Sequence, residues 1–567
     1  MKEFWRRLAQ RPLLTFEVVL ATLFITILSL ASPLFVIQIL NRFVTYGFSG
    51  TLITLTLGML VAVVLQFVLR VIRTRLAALI SIRPDLNLAQ RLLNTLTRSK
   101  SLPLSNIPKP RLHEVANALQ QIRNAYNAAG ITAILDAPFG LLFVGAAFYL
   151  SPVLALISLA GIVFSLVAAS IAMVYSRRVA EPLQNAVLAH RGQMMSLVNS
   201  PDSVRAFQGE AFIKQSWEDQ AGLVSRLFQR DAGIKEFNQS LTMSLNVLMT
   251  VALYAIGAMQ VVRGELSVGG LIGANILAGR AFSSTTRFVQ TVYLINKAER
   301  AFGELKKIFR LPVERGGGTT LSAYRGNLEV SNVFFAYPGN PVSLFERVQF
   351  RLQGGQSLGV IGYNGSGKST LARLLVGLIE PGRGEVMVDG VSLRQVAPHW
   401  WRKQICYLPQ EPSFLNGTIR ECITMVNSEI DDGALAEIVR MSGLRSFLDR
   451  SPKGMETPVV NGGSELPVGI RRRLALARSL AVDGKLVIFD EPTEGLDEEG
   501  CQAVYQVLNH LIRSGKTIVV VSRDPKILKG VDFVLDVGVK PIPRLIVAKG
   551  QGSGRLVELD KKATVVA

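Results

Sequence analysis

The chain has 567 residues, of which 49% are hydrophobic and only 18% are charged, and its mean hydropathy is +0.32. These values are unusual for a soluble protein of this length and indicate that part of the chain lies in lipid. The formal net charge of +20 is interpreted as the Lys and Arg excess typical of cytosolic loops in membrane proteins. We therefore expect membrane lipid, and no nucleic acid, among the partners.

Apolar runs predict six membrane-spanning helices in the first domain, residues 1–311. The runs cover residues 16–40, 51–69, 139–176, 241–262 and a more polar stretch at 266–295. The third run is long enough for two helices, joined by a turn at Ser151 and Pro152. The basic N-terminal peptide predicts a cytosolic N-terminus, and an even number of crossings returns the chain to the cytosol.

Two charged, amphipathic segments, residues 70–130 and 176–240, are predicted to extend into the cytosol as helices. The last span contains Asn275, Arg280 and Arg287. A charged residue within a span costs about 2.5 to 3.5 kcal/mol unless it faces protein or water, so these residues are predicted to face a cavity. For Arg287, a position at the cytosolic interface is an equally good alternative.

A glycine-rich stretch marks a linker at residues 312–326, and alternating strand and helix patterns predict an α/β domain over residues 327–567. Its three cysteines, Cys406, Cys422 and Cys501, are widely spaced. Neither a disulfide framework nor a zinc site is expected from such spacing.

The α/β domain contains a phosphate-binding loop at residues 362–370, which fits the pattern G-x-x-x-x-G-K-[ST] between an apolar strand and a helix. Its backbone N–H groups are predicted to bind the phosphates of ATP. Lys368 is predicted to reach the terminal phosphates, and the Ser369 hydroxyl to ligate Mg²⁺. The nucleotide-binding residues of the loop are Gly362, Asn364, Gly365, Ser366, Gly367, Lys368, Ser369 and Thr370.

A buried strand at residues 486–490 ends in two carboxylates, Asp490 and Glu491. Asp490 is predicted to hold Mg²⁺, and Glu491 to orient and deprotonate the attacking water. A strand that ends in Asp-Glu is by itself a weak signal for an ATPase site. The signal becomes strong in combination with a phosphate-binding loop upstream in the same α/β region.

With these motifs the chain resembles the ABC exporter family: a six-helix membrane domain fused to a P-loop nucleotide-binding domain. The resemblance implies that Tyr337 stacks on adenine and that Gln410 contributes to the Mg²⁺ site. More narrowly, the membrane half is similar to transporters of type I secretion systems, in segments that include Pro33, Asp136 and Arg280. Lacking a peptidase-like domain before residue 16, the chain looks like the members that cleave no leader.

That resemblance implies a bacterial inner-membrane protein that exports a polypeptide in one step. The implied partners are a second half-transporter, a membrane fusion protein and an outer-membrane channel. Export of a lipid or a small peptide is an alternative, because the fold alone does not choose the cargo.

Three family motifs are altered in this chain. The signature L-S-G-G-Q, which binds the γ-phosphate of ATP on the opposite subunit, is replaced by Leu466, Pro467, Val468, Gly469 and Ile470. The switch histidine is replaced by Arg523, and the D-loop begins with Glu494, which is predicted to add negative charge beside ATP. Two hypotheses follow: a slow homodimeric ATPase, or a degenerate ATP-binding subunit that pairs with a complete cassette.

Overall fold

The computed structural model describes residues 2–47 and 49–547. Within these residues the chain divides into two compact units. The helical unit comprises residues up to Ser99 together with Pro103–Leu311, and the α/β unit comprises Lys100–Leu102 together with the chain from Pro312 onward.

The helical unit is built from long helices joined by short turns. In chain order they are α1 (Lys2–Ala9), α2 (Pro12–Ser29), α3 (Ala31–Gln38), a π-helical segment (Ile39–Val44), α4 (Ser49–Arg98), α5 (Ser101–Ser105), α6 (Lys109–Ala125), α7 (Ala128–Leu150), α8 (Pro152–Asn199), α9 (Pro201–Ala206), α10 (Glu210–Val262) and α11 (Val268–Phe309). The turn predicted at Ser151 and Pro152 separates α7 from α8, where Ser151 caps α8 by accepting a hydrogen bond from the Leu154 N–H. The short helices α5 and α9 separate longer helices of the unit.

Among the residues that the structure describes, five helical stretches are long and apolar enough to cross a membrane, judged by length and composition alone. They are Pro12–Val44, Ser49–Arg98, Ala128–Leu150, Pro152–Asn199 and Glu210–Val262. The sixth long helix, α11, is the more polar one, as its sequence predicts. The first half of α4 exposes large apolar side chains such as Leu57, Leu60 and Phe67, a surface that fits lipid rather than water.

The interior of the helical unit includes small residues that allow helices to approach closely. Along α11, Ala274, Ala278 and Ala281 are buried against α7 and neighbouring helices. Such residues favour close helix approach in a membrane, where packing replaces the hydrophobic effect as the main source of association. Arg280 and Arg287 lie on the same helix, and both line a cavity that is described below.

The described part of the α/β unit, which ends at Val547, contains three sheets. An antiparallel sheet has the order β2 (Phe345–Leu352), β1 (Leu328–Phe335), β4 (Arg383–Val388), β5 (Val391–Ser392). The central sheet has the order β12 (Arg544–Val547), β11 (Phe533–Asp536), β3 (Ser357–Ile361), β10 (Thr517–Val521), β9 (Leu486–Asp490), β6 (Ile405–Leu408), and a small ribbon pairs β7 (Gly417–Thr418) with β8 (Pro458–Val459). Strands β9 and β10 are fully buried apolar runs, as expected for parallel strands covered on both faces.

Helices surround these sheets. They are α12 (Lys368–Leu375), α13 (Pro398–Arg402), α14 (Ile419–Thr424), α15 (Asp432–Met441), α16 (Arg445–Arg450), α17 (Val468–Leu480), α18 (Glu498–Arg513) and α19 (Pro525–Leu528), with 3₁₀ turns at Gly454–Glu456 and Asn461–Gly463. The linker stretch packs within the unit: Glu314 receives two hydrogen bonds from Arg402, and Tyr324 is buried against Trp401.

The parallel part of the central sheet positions the site. Strands β11, β3, β10, β9 and β6 run in the same direction and are neighbours in the sheet. Their carboxyl ends therefore meet at one edge, which is where ligands bind in open α/β sheets. The phosphate-binding loop follows β3, the carboxylate pair ends β9, and Arg523 follows β10.

Candidate functional site

The phosphate-binding loop needs glycine where its backbone folds back on itself. Gly362 has a φ of +152°, and a Cβ there would lie 2.5 Å from Ser366 Oγ and 3.0 Å from Gly538 N. Gly367 has a φ of +108°, and a Cβ there would lie 2.9 Å from Leu344. Side chains at these positions would strain the loop and close the concavity that backbone N–H groups form for an anion.

Lys368, the first residue of α12, is buried under this loop. Its Nζ donates hydrogen bonds to the carbonyl oxygens of Gly362 (3.1 Å) and Tyr363 (3.4 Å) and lies 3.8 Å from Glu491 Oε1. A buried ammonium group held mainly by backbone carbonyls is well placed to exchange them for phosphate oxygens. The side chain therefore fits the predicted role at the terminal phosphates.

Ser369, Gln410 and Asp490 lie together where Mg²⁺ is predicted. Ser369 Oγ donates to Gln410 Oε1 at 3.2 Å. Asp490 is 2% exposed, and its Oδ1 is buried without a hydrogen-bond partner. Burial raises the pKa of Asp490 to about 6, against a lowering hydrogen bond from Ser369. An orphaned carboxylate oxygen beside a hydroxyl and an amide oxygen is a donor set that suits a hard cation such as Mg²⁺.

We expect the contribution of Asp490 to Mg-ATP binding to weaken as pH falls through about 6, because the neutral carboxyl must lose its proton before it can ligate a cation. The ratio of wild-type to Asp490→Asn affinity for Mg-ATP should be constant above pH 7 and fall by about tenfold per unit well below the pKa. Equilibrium binding at matched pH cancels the titration of the nucleotide itself. A ratio that stays constant down to pH 5 would contradict this assignment.

Glu491 follows β9 in a left-handed backbone conformation, with a φ of +49°. Its N–H donates to the Val521 carbonyl at 2.8 Å, which ties the residue to the neighbouring strand β10. Burial raises the pKa of Glu491 above its ordinary value, while the charge of Lys368 lowers it and that of Glu494 raises it. A carboxylate with a raised pKa is a stronger base, so the position suits deprotonation of water.

Tyr337 lies next to the loop rather than at a distance from it. Its hydroxyl is 2.8 Å from Thr370 Oγ1, and its ring packs edge-on against Phe335, with centroids 5.0 Å apart. The hydrogen bond and the ring contact fix the orientation of the aromatic face. Such a face next to the phosphate loop is suited to stacking on a nucleotide base.

The altered signature begins α17. Pro467 is the N-cap residue and makes no side-chain cap hydrogen bond, and Val468 is exposed. Leu466 and Ile470 pack partly against the core of the unit. A Cβ on Gly469 would meet no atom within 4 Å. The start of α17 therefore offers the backbone N–H groups of its first turn but no hydroxyl donor. This is what the sequence predicts, because Pro467 stands where the family signature has serine.

The negative charge that the sequence predicts at Glu494 is present next to the site, and two neighbouring side chains compensate part of it. Its Oε2 accepts hydrogen bonds of 3.2 Å from Gln410 Nε2 and from Arg472 Nη2. Burial alone would raise the pKa of Glu494, but these two hydrogen bonds lower it below the ordinary value. Arg472 also donates to the Glu491 carbonyl oxygen at 3.1 Å, so it links the altered D-loop to the catalytic strand.

The substitution Glu494→Gln tests this arrangement. Because the negative charge of Glu494 raises the pKa of Glu491, its removal should shift the acid limb of the ATPase pH profile to lower pH. The shift should be less than about one unit, since Arg472 already compensates part of the charge. Glu385→Gln, an exposed site on β4, is the matched control. A shift to higher pH in Glu494→Gln alone would contradict the argument.

Arg523, which the sequence analysis assigns to the position of the family's switch histidine, contacts the phosphate loop. Its Nη2 donates to the Gly362 carbonyl at 3.2 Å and to Asn364 Oδ1 at 2.5 Å. The guanidinium is exposed and presents planar N–H donors that suit phosphate oxygens. It can contact a phosphate, but it cannot exchange a proton as histidine does.

Two site residues were missed from the sequence. Lys540 Nζ donates to the carbonyl oxygens of Leu344 and Ser366, the latter at 2.9 Å, and so adds a positive charge at the phosphate loop. The second is Arg472, which donates a hydrogen bond to Glu494. No sequence motif marks Lys540.

The fold and site define a class: a multi-pass membrane half-transporter whose second unit is a P-loop ATPase. Comparison with known families supports this class in both halves. The model of the ABC transporter transmembrane region matches residues 15–285, and that of the ABC transporter domain matches residues 345–494. The chain belongs to the ABC transporter family, and its ATPase is coupled to transport.

Several curated proteins are similar over most of the chain. The toxin RTX-I translocation ATP-binding protein of Actinobacillus pleuropneumoniae is 27% identical over 525 residues, which are 92% of this chain and 73% of that protein. The leukotoxin translocation ATP-binding protein LktB of Mannheimia haemolytica is 26% identical over the same shares. A solved structure of a bacterial Atm1-family ABC exporter with ATP bound has a TM-score of 0.79, with 18% identity and 94% of both chains covered, a likeness of fold.

Proposed function

We propose that this chain is the ATP-driven half-transporter of a type I secretion system and exports a polypeptide across the bacterial inner membrane. The observation that carries the proposal is the similarity over 92% of the chain to proteins named for translocation of a toxin and a leukotoxin. The partners are a second half-transporter, a membrane fusion protein and an outer-membrane channel. Among the residues that the structure describes, no feature of the ATP site favours a lipid or a small peptide as cargo.

The site residues support an ordered hydrolysis step. The loop residues and Lys368 bind the phosphates, and Tyr337 orients the base. Ser369, Gln410 and Asp490 would hold Mg²⁺, which neutralises the charge that develops on the phosphates. Glu491, held by the Val521 carbonyl, orients a water molecule and takes its proton, with Lys368 3.8 Å away to offset its charge.

The second candidate is a degenerate ATP-binding subunit that pairs with a second subunit whose ATP-binding domain has all the family motifs. The altered signature of this chain favours it. In the family, the signature of one subunit completes the ATP site of the other. Here Pro467 offers neither a hydroxyl nor an N–H group, while Lys368, Asp490 and Glu491 are in place. A partner with a normal signature would therefore complete the site on this chain, and its own ATP would face the altered one.

The test is purification of the native complex under mild solubilisation, followed by identification of the co-purifying chains. A second half-transporter and a membrane fusion protein are expected. Secretion is then compared between a strain lacking the gene and strains complemented with wild-type or Glu491→Gln protein, and loss of one or a few polypeptides from the medium is expected in the null and mutant strains. An unchanged set of secreted polypeptides would count against polypeptide export.

A further inference from the structure

A cavity of about 400 Å³ lies inside the helical unit, among α2, α4, α7 and α11. Arg70 and Arg73 of α4 line it together with Arg280 and Arg287 of α11, and Asp136 of α7 supplies its one carboxylate. Its volume lies within the range of about 300 to 1,000 Å³ typical of ligand sites. Four arginines thus face one aspartate in a single cavity.

The single carboxylate is already engaged. Arg73 Nη1 lies 2.5 Å from Asp136 Oδ1 and 3.4 Å from Thr22 Oγ1. The Asp136 carbonyl oxygen accepts a hydrogen bond from Ser284 Oγ at 3.2 Å, which ties α7 to α11. Asp136 therefore balances Arg73 and leaves no second carboxylate in the wall for the other arginines.

Three guanidinium groups remain without a counter-charge. Among the residues that the structure describes, Arg70, Arg280 and Arg287 have no carboxylate within 4.0 Å. In addition, the Nε of Arg73 is buried and has no hydrogen-bond partner. Cationic groups within a membrane unit are costly unless they face water or an anion, and such residues mark substrate pathways. The cavity is therefore built for negative charge.

We propose that this cavity binds carboxylate groups of the exported polypeptide, which rests on the proposed function. Guanidinium groups bind carboxylates through paired hydrogen bonds. The hydroxyls of Thr26 and Ser29 also line the wall, but they donate to the Thr22 and Thr26 carbonyl oxygens, so the arginines are left to bind the anion. A lipid headgroup offers a phosphate but also brings acyl chains, for which the wall has only Ile25, Phe143 and Ile276. The polar wall and modest volume favour an acidic side chain over a lipid.

Binding of a labelled peptide to the full-length chain tests this site. The chain is placed in nanodiscs of phosphatidylcholine without ATP, and fluorescence anisotropy compares an aspartate-rich peptide with its asparagine counterpart. We expect the acidic peptide to bind at least about tenfold more tightly, which corresponds to about 1.4 kcal/mol. The double variant R280Q/R287Q should reduce this preference to less than about twofold. Arg300→Gln, an exposed site on the same helix and outside the cavity, should keep it.

A second variant guards against misfolding of the first. Arg70→Gln removes one exposed guanidinium from the cavity and should lower the preference partly, with an unchanged melting temperature. Equal affinity for the two peptides, or a preference that survives R280Q/R287Q, would overturn the proposal. So would displacement of the acidic peptide by phosphatidylglycerol added to the nanodiscs, which would make a lipid headgroup the occupant.

These outcomes separate the cavity from the transport function. Peptide binding is measured without nucleotide, so it does not depend on hydrolysis. If secretion is unchanged in the null strain and the purified chain still prefers the acidic peptide, the export proposal fails and the cavity assignment stands. Lost discrimination with secretion intact would overturn the cavity assignment alone.

Discussion

Replacing Glu491 with glutamine is expected to slow ATP hydrolysis by about 100- to 10,000-fold, the usual contribution of a general base, while ATP binding persists. Glutamine keeps the size of the side chain but cannot accept the proton of the attacking water. The backbone at residue 491 should keep its position, because its N–H donates to the Val521 carbonyl. The loop residues that bind ATP are not changed. The variant should therefore bind ATP and retain it unhydrolysed.

The measurement is the ratio of ATP to ADP bound to the full-length chain after incubation with labelled Mg-ATP, together with phosphate release. Glu385→Gln, which makes the same change on an exposed strand, is expected to match wild type. Robust hydrolysis by the purified chain that disappears in Glu491→Gln would end the idea of an inactive subunit. Equal hydrolysis in wild type and Glu491→Gln would instead remove Glu491 from the catalytic role.

Replacing Lys368 with methionine is expected to weaken ATP binding by roughly 10- to 150-fold, the loss of one charge-assisted hydrogen bond of about 1.5 to 3 kcal/mol. Lys368 Nζ lies 3.1 Å from the Gly362 carbonyl under the loop, where its charge is predicted to bind the terminal phosphates. Methionine preserves the apolar stem and removes the charge. Hydrolysis should fall at least as far, because the same ammonium offsets charge near Glu491.

Nucleotide affinity is measured by equilibrium binding of a fluorescent ATP analogue, with and without Mg²⁺. Lys403→Met, at an exposed position outside the loop, controls for the loss of one positive charge from the unit. The weakening should also appear without Mg²⁺, since Lys368 contacts phosphate directly. An affinity for the nucleotide within twofold of wild type would show that Arg523 and Lys540, rather than Lys368, compensate the negative charge of the phosphates.

Both predictions depend on residues that sequence analysis could place. The loop from Gly362 to Thr370 has the spacing of a phosphate-binding loop between a strand and a helix. Asp490 ends a strand apolar enough to be buried, and Glu491 follows it. Local patterns of this kind specify local structure, because a phosphate-binding turn depends on the backbone freedom of nearby glycines. The membrane spans are equally local, since uncharged length alone marks them.

The charge of Glu494 shows where sequence reasoning reaches its limit. Read along the chain, this residue is an extra carboxylate near the catalytic strand. In the structure it pairs with Arg472, 22 residues earlier in the sequence, and with Gln410, 84 residues earlier. Because the energy of a charge depends on its neighbours in space, its effect on the site followed only from the folded arrangement.

From its residues alone, this chain could be read as a multi-pass membrane helical domain followed by a P-loop domain with an altered signature. Periodicity, apolar length and glycine spacing act over a few turns of chain and are visible in the sequence. The surplus of arginines in the cavity, the orphaned oxygen of Asp490 and the contacts of Lys540 required the tertiary structure. Each depends on burial and on partners distant in sequence, and folding brings these together through the packing of whole helices and strands.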